Sequence, residues 1–249
     1  MSVYEQILKN SKAGKKMLAV LLDPEKQGMQ QLALEQIRYC GVDFVFVGGS
    51  GYQMPIDDYI IQLRKGLIKS GKQVCPIVLF PGDICQFSAE ADALLFLSLI
   101  SSRDAELLIG KHVKMAKTIR ESGIETIAMG YVLVDGGRVS SLERVTGEKP
   151  LKEKEKIVAT ALAGEMSGKR LIDREAGSGA KNPVSKEIIK AVKEAISVPL
   201  IVGGGICNPE QMKDAFEAGA DLVVIGNHFE KHAEEVSRFA EALDETNNR

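Results

Sequence analysis

Eight short apolar segments recur along this chain, with a helical pattern between most neighbouring pairs. Their hydrophobicity is continuous rather than alternating, which is typical of strands that are covered on both faces, as in parallel sheets. The predicted strands are Met17–Leu22, Asp43–Val47, Val74–Leu79, Ala93–Ser98, Thr126–Val134, Arg170–Glu175, Pro199–Val202 and Asp221–Ile225. Eight such strands in 249 residues predict a single α/β domain over residues 1–249, folded as a (β/α)8 TIM barrel.

The helical patterns number seven, one fewer than a complete barrel has. They cover Met29–Cys40, Asp57–Ser70, Asp104–Ser122, Leu151–Ser167, Ser185–Ala195, Pro209–Ala218 and His228–Leu243. About a dozen residues separate the third strand from the fourth, and Pro81-Gly82-Asp83 takes part of that gap. A crossover between parallel strands usually needs a dozen or more residues and contains a helix, so the residues left after this turn are too few. We therefore expect a modified barrel whose third helix is shortened or missing.

Another irregularity is the polar stretch from Asp135-Gly136-Gly137 to Pro150. It is too long for a minimal connection between a strand and a helix. Long loops of this kind in compact domains are usually functional. The segment predicts either a flap over an active site or an interface element.

The composition excludes several classes of protein. A net charge of −2 gives no basic surplus for a nucleic-acid backbone, so nucleic acid is not an expected partner. The four cysteines, Cys40, Cys75, Cys85 and Cys207, are scattered and predict buried thiols in a reducing cytoplasm. The amino terminus lacks the apolar core of a signal peptide, and no apolar run is long enough to span a membrane. A lipid substrate would be met at the membrane surface, through peripheral contact.

Glycines follow the last three predicted strands. The sixth ends in Asp173-Arg174-Glu175 before a Gly/Ser turn, which places a possible base beside backbone N–H donors and suits a phosphorylated alcohol. Gly203-Gly204-Gly205 follows the seventh strand. Gly226-Asn227 follows the eighth, just before a helix whose amino end favours an anion. TIM barrels often hold phosphate at these last two loops. The alternative is that the glycines only form tight turns.

Two residues near the first strands are candidates for a metal site. Asp23 follows the first strand and offers an oxygen ligand for a hard cation such as magnesium, with a substrate diphosphate supplying further ligands. Asp23 is equally suited to cap the following helix. Ser50, in the glycine-rich loop after the second strand, offers a hydroxyl to the same cation or phosphate. Alternatively, Ser50 belongs to a flexible loop that binds no ligand.

The three histidines do not suggest a catalytic or metal site. His228 and His232 lie four residues apart, yet they have no third ligand and their neighbours are charged, which indicates a solvated helix face. His112, between Lys111 and Lys114, is interpreted in the same way. The chain offers no Ser/His/Asp or Cys/His set, which argues against a hydrolase. A phosphosugar isomerase or aldolase-like barrel would need an acid/base pair or a Schiff-base lysine, and Lys26 is not convincingly placed for that role.

Six motifs in order give the chain a family resemblance. They are Asp23-Pro24-Glu25-Lys26, Val47-Gly48-Gly49-Ser50, Phe80-Pro81-Gly82, Glu175-Ala176-Gly177-Ser178-Gly179-Ala180, Gly203-Gly204-Gly205-Ile206 and Gly226-Asn227. With them, the chain resembles geranylgeranylglyceryl phosphate synthases over essentially its whole length. It looks most like the branch of PcrB-like prenyltransferases that includes bacterial members.

The resemblance implies a fold, a reaction and a set of site residues. The family fold is a barrel whose third helix is replaced. The reaction is magnesium-dependent transfer of a geranylgeranyl group from geranylgeranyl diphosphate to the 3-hydroxyl of sn-glycerol 1-phosphate, in ether phospholipid biosynthesis. Asp23 and Ser50 would bind magnesium, Glu175 would be catalytic, and the family commonly forms homo-oligomers. Residues expected to bind glycerol 1-phosphate are Asp173, Arg174, Glu175, Ala176, Gly177, Ser178, Gly179, Gly204, Gly205, Gly226 and Asn227.

The prenyl tail needs an apolar groove. The abbreviated third crossover is a natural opening for it, and apolar side chains near that opening either line the groove or only pack the core. Those considered are Phe80, Ile84, Phe87, Leu99 and Ile100. The length of the prenyl chain, geranylgeranyl or another such as heptaprenyl, depends on the depth of this groove.

One position departs from the family pattern. The family usually has Tyr-Leu-Glu where this chain has Asp173-Arg174-Glu175, so an acid replaces the tyrosine expected to contact glycerol phosphate. An unpaired acid beside a phosphate weakens binding by like-charge repulsion. Arg174 should point to the opposite side of the strand, toward the helices. The alternatives are altered acceptor choice, a non-catalytic phosphate-binding barrel, or an Asp173 that hydrogen-bonds the glycerol hydroxyls.

Overall fold

The computed structural model describes residues 1–26, 30–49, 51 and 55–248. Eight parallel strands close into a barrel, and two short strands form a separate antiparallel hairpin. In chain order the strands are β1 (Met17–Leu22), β2 (Phe44–Val47), β3 (Ile68–Lys69) and β4 (Lys72–Gln73) of the hairpin, β5 (Ile77–Leu79), β6 (Ala93–Leu99), β7 (Glu125–Leu133), β8 (Leu171–Glu175), β9 (Leu200–Gly203) and β10 (Leu222–Ile225). The predicted barrel is confirmed, with all eight predicted strands in place.

Helices flank the barrel strands. They are α1 (Val3–Lys12), α2 (Gln30–Cys40), α3 (Asp57–Gly66), α4 (Lys111–Ser122), α5 (Ser141–Thr146), α6 (Lys154–Met166), α7 (Lys186–Ala195), α8 (Pro209–Glu217) and α9 (Val236–Asn247). A π-helical turn, Glu106–Gly110, leads directly into α4. Between β5 and β6 the chain forms only a 3-10 turn, Ile84–Gln86, so the expectation of a shortened or missing third helix is confirmed.

The register of the strands decides which side chains face the inside of the barrel. Side chains alternate across a strand, so Leu171, Asp173 and Glu175 of β8 share the interior face, and Arg174 faces the helices as expected. Tyr131 of β7 lies directly opposite Asp173. The interior is otherwise mostly apolar and buried, which leaves the two β8 carboxyl groups in a medium that disfavours charge.

Helix α1 closes the end of the barrel opposite the carboxyl ends of the strands. The Glu125 carboxylate, at the start of β7, accepts the backbone N–H groups of Val3 and Tyr4 at 2.7 and 2.9 Å. The Arg170 guanidinium lies 3.6 Å from the centre of the Tyr4 ring. Helix α1 therefore covers this end, and a cavity opens at the other, at the carboxyl ends of the strands.

Two expectations from the sequence need correction. The predicted helix from His228 begins only at Val236, because the bonds from Glu230 N–H to Gly226 O and from His232 N–H to His228 O close a single turn first. Of the four cysteines, which are all free, only Cys75 is buried; Cys40 and Cys85 are partly exposed and Cys207 is exposed. Among the described residues, no helix is long and apolar enough to cross a membrane.

Candidate active site

A cavity opens at the carboxyl ends of the strands and has two chemically different parts. One part is formed by the polar loops after β8, β9 and β10. The other extends over the short third connection and along the outer face of β6 beneath α4. The apolar side chains that line this second part, here called the groove, are Ile84, Phe87, Leu94, Phe96, Met115 and Ile119. A single cavity therefore joins a polar pocket to a hydrocarbon-lined channel.

Glu175 ends β8 at the floor of the polar part. Its side chain is 8% exposed, and Oε1 accepts the N–H of Gly177 at 3.1 Å. Burial raises the pKa of Glu175 well above its usual range, and the nearby Asp173 carboxyl raises it further, while the Gly177 N–H opposes the shift. A carboxyl group with such a pKa is a strong base once it is ionised.

The glycines beside Glu175 allow the loops to approach it closely. At φ +77°, Gly204 is in the left-handed region, and a Cβ there would lie 2.2 Å from Glu175 Oε1 and 2.9 Å from the Gly177 nitrogen. Ser178 Oγ, in turn, donates to Asn227 Oδ1 at 2.9 Å, which joins the loop after β8 to the loop after β10. These contacts bring the loops after β8, β9 and β10 together beside one carboxyl group, with glycine backbone exposed to the cavity in a way that suits an anion.

The segment from Asp135 to Pro150 covers this loop cluster. A Cβ on Gly177 would lie 2.3 Å from the Cβ of Ser140, the buried residue that caps α5. Ser141 N–H also donates to Ser178 O at 3.2 Å. Leu142 and Thr146 of α5 line the cavity. The placement fits the flap alternative, and the interface alternative stays a prediction.

Asp173 and Arg174 lie apart from the other predicted phosphate-binding residues, because neither lines the cavity. The Asp173 side chain is 1% exposed and lies inside the barrel below Glu175, and Arg174 is fully buried in the helix layer. Ala176 is also buried beneath the surface of the loop, whereas the other predicted residues, Glu175, Gly177, Ser178, Gly179, Gly204, Gly205, Gly226 and Asn227, line the cavity. The acid that replaces the family tyrosine thus lies below the floor rather than beside the loops.

The two predicted metal ligands have different outcomes. Asp23 lies at the end of β1, where its carboxylate accepts the N–H of Glu25 at 3.1 Å and lies 3.5 Å from Lys26 Nζ. A Cβ on Gly49, which lines the cavity, would be 2.5 Å from Asp23 Oδ1, so this carboxylate borders the cavity. Ser50 falls outside the described residues.

Gln86, in the 3-10 turn that replaces the third helix, is a buried residue that sequence reasoning missed. Its Oε1 accepts N–H groups from Gly49 at 3.2 Å and Gly82 at 3.1 Å, and its Nε2 donates to Gly49 O at 2.6 Å. The side chain thereby fixes the loop after β2 to the short third connection. A lone glutamine carries no motif, so only the fold reveals this role.

His112 and Ile100 differ from the expectations placed on them. The His112 ring is half-buried in the groove wall, stacks on Phe96 at 3.8 Å between ring centres, and its Nε2 lies 2.7 Å from Leu97 O. It is not on a solvated face. Ile100, expected as a possible groove residue, packs its Cδ1 against Gly130 and Gly164 beneath α6 instead. Phe80, Ile84, Phe87 and Leu99 do line the cavity.

His228 and His232 lie in the turn after β10 rather than on a helix. His228 is largely buried, lines the cavity, and places Nε2 2.7 Å from Glu235 Oε2. The two rings lie 5.0 Å apart, and no group of three or more His, Cys, Asp or Glu side chains that could hold a metal forms among the described residues. The solvated-face interpretation was therefore wrong for His228.

A closed parallel barrel with an acid and glycine loops at the carboxyl ends of its strands defines a TIM-barrel enzyme. The PcrB family matches residues 11–244 of the chain. A relative from Zunongwangia profunda named geranylgeranylglyceryl phosphate synthase is 45% identical over 232 residues, which are 92% of this chain and 97% of that protein. The chain belongs to the PcrB family, as its sequence motifs indicate.

Solved structures agree with this assignment. The (S)-3-O-geranylgeranylglyceryl phosphate synthase of Thermoplasma acidophilum, in complex with sn-glycerol 1-phosphate, has a TM-score of 0.86 and 32% identity, and the match covers 98% of this chain and 99% of that one. The YdjI aldolase of Escherichia coli K12 has a TM-score of 0.58 at 12% identity, over 98% of this chain and 93% of that one. The aldolase shares the fold alone.

Proposed function

We propose that the protein transfers a geranylgeranyl group from geranylgeranyl diphosphate to the 3-hydroxyl of sn-glycerol 1-phosphate and releases diphosphate. The observation that carries the proposal is the two-part cavity, which joins an anion-binding loop cluster to an apolar groove. A phosphorylated alcohol and a long hydrocarbon chain need these two environments side by side. The relatives named geranylgeranylglyceryl phosphate synthase support the same reaction.

The loops after β8, β9 and β10 are the proposed site for the phosphate of the acceptor. Gly177, Gly179, Gly204 and Gly205 all have positive φ angles, between 74° and 86°, so consecutive N–H groups turn to form concave nests. The acceptor hydroxyl would then lie near Glu175. There the glycerol oxygen forms a bond to C1 of the prenyl group, the bond from C1 to the diphosphate oxygen breaks, and Glu175 takes the hydroxyl proton.

The groove is the proposed site of the prenyl chain. Its walls come from β6 and α4, and it runs through the space that a third helix would fill in a complete barrel. An apolar wall also keeps water away from the allylic carbon, where positive charge develops as the diphosphate leaves. Water would otherwise compete with the glycerol hydroxyl for that carbon.

Magnesium is the proposed metal, with Asp23 as its protein ligand and Ser50 as a predicted second one. The donor set fits, because Mg²⁺ commonly uses one or two carboxylates and takes its other ligands from water and substrate phosphates. When bound, the metal would neutralise charge on the leaving diphosphate. Lys26 places its Nζ 3.5 Å from Asp23 Oδ2 and 2.8 Å from Glu230 Oε2, so two carboxylates share its positive charge at this border of the cavity.

Peripheral contact with a membrane surface, from the cytoplasmic side, is proposed as the route of the lipid donor into the groove. Ile109 lines the cavity and is 56% exposed, and Val113, one turn further along, is 70% exposed. Apolar side chains at the mouth of a groove are suited to contact acyl chains. Assembly into a homo-oligomer stays a prediction from the family resemblance.

The proposal is tested with purified protein, magnesium and paired substrates. Geranylgeranyl diphosphate with sn-glycerol 1-phosphate should yield diphosphate and the ether product, whereas sn-glycerol 3-phosphate, the mirror-image acceptor, should react far more slowly. Donors of 15, 20 and 35 carbons, compared at matched concentration, would identify the preferred chain. An absence of product with every donor would overturn the proposal.

A further inference from the structure

Asp173 is a buried acid that the reaction described above leaves without a role. It lies two residues before Glu175 on the same interior face of β8, and its side chain is 1% exposed. Among the described residues, neither of its carboxylate oxygens has a hydrogen-bond partner. An unsatisfied buried carboxyl group is costly to keep unless something else stabilises it or a function requires it.

The surroundings of Asp173 contain few other charges. Tyr131 faces it from β7, and the residue opposite on β9 is the apolar Ile201. Gly203, opposite Glu175, has no side chain to separate the acids from the loop backbone. The titratable and charged groups that act on the two acids are therefore Tyr131 and Arg174.

Arg174 lies on the helix-facing side of β8 and carries the positive charge nearest in sequence to the two acids. It is fully buried, and none of its three guanidinium nitrogens has a hydrogen-bond partner among the described residues. Its charge lowers the pKa of Asp173, although burial dominates and the pKa of Asp173 is still raised to about 8. One arginine therefore balances at most one ionised carboxylate in this part of the barrel.

We propose that Asp173 is a positioning residue that shares a single negative charge with Glu175 and thereby sets how strongly Glu175 accepts the proton of the acceptor hydroxyl. Two carboxyl groups at successive interior positions of one strand, both buried in an apolar barrel, do not ionise together, because their charges repel at low dielectric. Glu175 lines the cavity and accepts the Gly177 N–H, so it is the better placed of the two to hold the charge when the acceptor is bound. Asp173 acts only through Glu175, because it does not line the cavity.

This inference rests on the proposed function and makes a distinct kinetic prediction. In the unsubstituted protein the first proton can leave either acid, so Glu175 holds only part of the single charge. In D173N the neighbour is neutral and Glu175 alone ionises, with a pKa that burial still raises. The acid limb of the kcat/KM profile for sn-glycerol 1-phosphate should therefore move to higher pH, by about 0.3 pH unit if the charge is shared equally and by more if Asp173 holds most of it. The plateau at high pH should not fall, because Glu175 then holds the whole charge.

Y131F is the matched control, since it alters the neighbour on the other strand without removing an acid. Burial, together with Glu175 and Asp173, raises the pKa of Tyr131 well above 10, so the phenol is neutral throughout the range tested. The acid limb of the kcat/KM profile of Y131F should therefore lie at the same pH as that of the unsubstituted protein. An acid limb that is unchanged in an active D173N enzyme would overturn the inference and leave the transferase assignment intact.

A second measurement needs no activity and no substitution at Asp173. Carbon-13 NMR of the unsubstituted protein, with labelled carboxyl carbons, should show two buried signals that titrate together in two steps. E175Q assigns one of them by its disappearance. A Glu175 signal that titrates alone near its ordinary pKa of about 4.3 would contradict the shared charge. If the protein forms no product at all, the transferase proposal fails, whereas the carbon-13 titration still decides whether the acids are paired.

Discussion

At the polar end of the cavity, backbone approaches backbone so closely that a Cβ on Gly204 would lie 2.2 Å from Glu175, whereas the groove walls between β6 and α4 consist of side chains. At Gly204 the polar end therefore has no room for an added atom. The groove is lined by residues such as Met115, which adapts its shape readily. We infer that the chemistry of the acceptor is fixed by the backbone, while the length of the donor is adjustable by single side chains.

The largest expected effect comes from removing the carboxylate at the polar end. Glu175→Gln preserves size but cannot accept a proton, so kcat should fall by about 10²- to 10⁴-fold. The KM for the prenyl donor should change little, because the groove is untouched. Steady-state kinetics with each substrate varied in turn measures both. If kcat/KM fell instead because the KM for the prenyl donor rose, with kcat unchanged, the polar pocket and the groove would not act separately.

Replacing one loop glycine should have the next largest effect. In Gly204→Ala the alanine must adopt a positive φ, and its Cβ would clash with the Glu175 carboxyl group. The loop must therefore move. A displacement of this kind can reduce kcat/KM by on the order of a hundredfold. Gly123→Ala is the matched control: φ there is +73°, close to the +77° of Gly204, but no heavy atom lies within 4 Å of the added Cβ.

The control should cost about 1 kcal/mol of unfolding free energy, from backbone strain alone, and leave kinetics unchanged. Calorimetric titration with sn-glycerol 1-phosphate, alongside thermal unfolding, separates the two effects. Equal loss of acceptor affinity in both variants would show that left-handed strain, rather than the crowding at Glu175, is responsible.

These two regions were not equally accessible from the sequence. The glycine loops could be placed because strand ends converge in a parallel barrel, and eight of the eleven predicted phosphate-site residues do line one cavity. The groove could be expected only as an opening at the missing helix. Its wall includes His112, which a helical pattern between two lysines had placed on a solvated face.

The reason is that a helix pattern reports which face is apolar but not what lies opposite. With the third helix absent, the α4 face around His112 and Met115 borders a channel instead of a neighbouring helix. Likewise, the strand pattern placed Asp173 on the interior face, but it did not show that the cavity floor lies above that residue. Gln86 acts through contacts distant in sequence, which no local pattern encodes.

Narrowing the groove should change donor choice by a smaller factor. Met115→Trp places a large ring in the wall, so the ratio of kcat/KM for long over short prenyl donors should fall about tenfold or more. The acceptor KM should remain unchanged. Lys117→Trp serves as control, because Lys117 lies two residues later on the same helix and its side chain is 88% exposed. A donor ratio that does not move in Met115→Trp would place the prenyl chain elsewhere.

The last expected effect is on stability rather than kinetics, namely on how the unfolding free energy depends on pH at the polar end. Burial raises the pKa of Asp173 to about 8 in the fold, against about 3.9 in an unfolded chain. Between these values the folded state binds more protons than the unfolded state, so unfolding free energy falls as the pH rises from about 4 to about 8. Asp173→Asn removes that dependence. As the pH rises, the Tm of the variant should therefore increase relative to that of the unsubstituted protein. The expected change is about 2–4 °C for each kcal/mol of unfolding free energy.

Met115→Trp is the control, because it changes no titratable group and should lower Tm by a similar amount at each pH. Parallel curves for Asp173→Asn and the unsubstituted protein would mean that Asp173 is already ionised and stabilised in the fold, and the polar end would then lose the property that most distinguishes it from the groove.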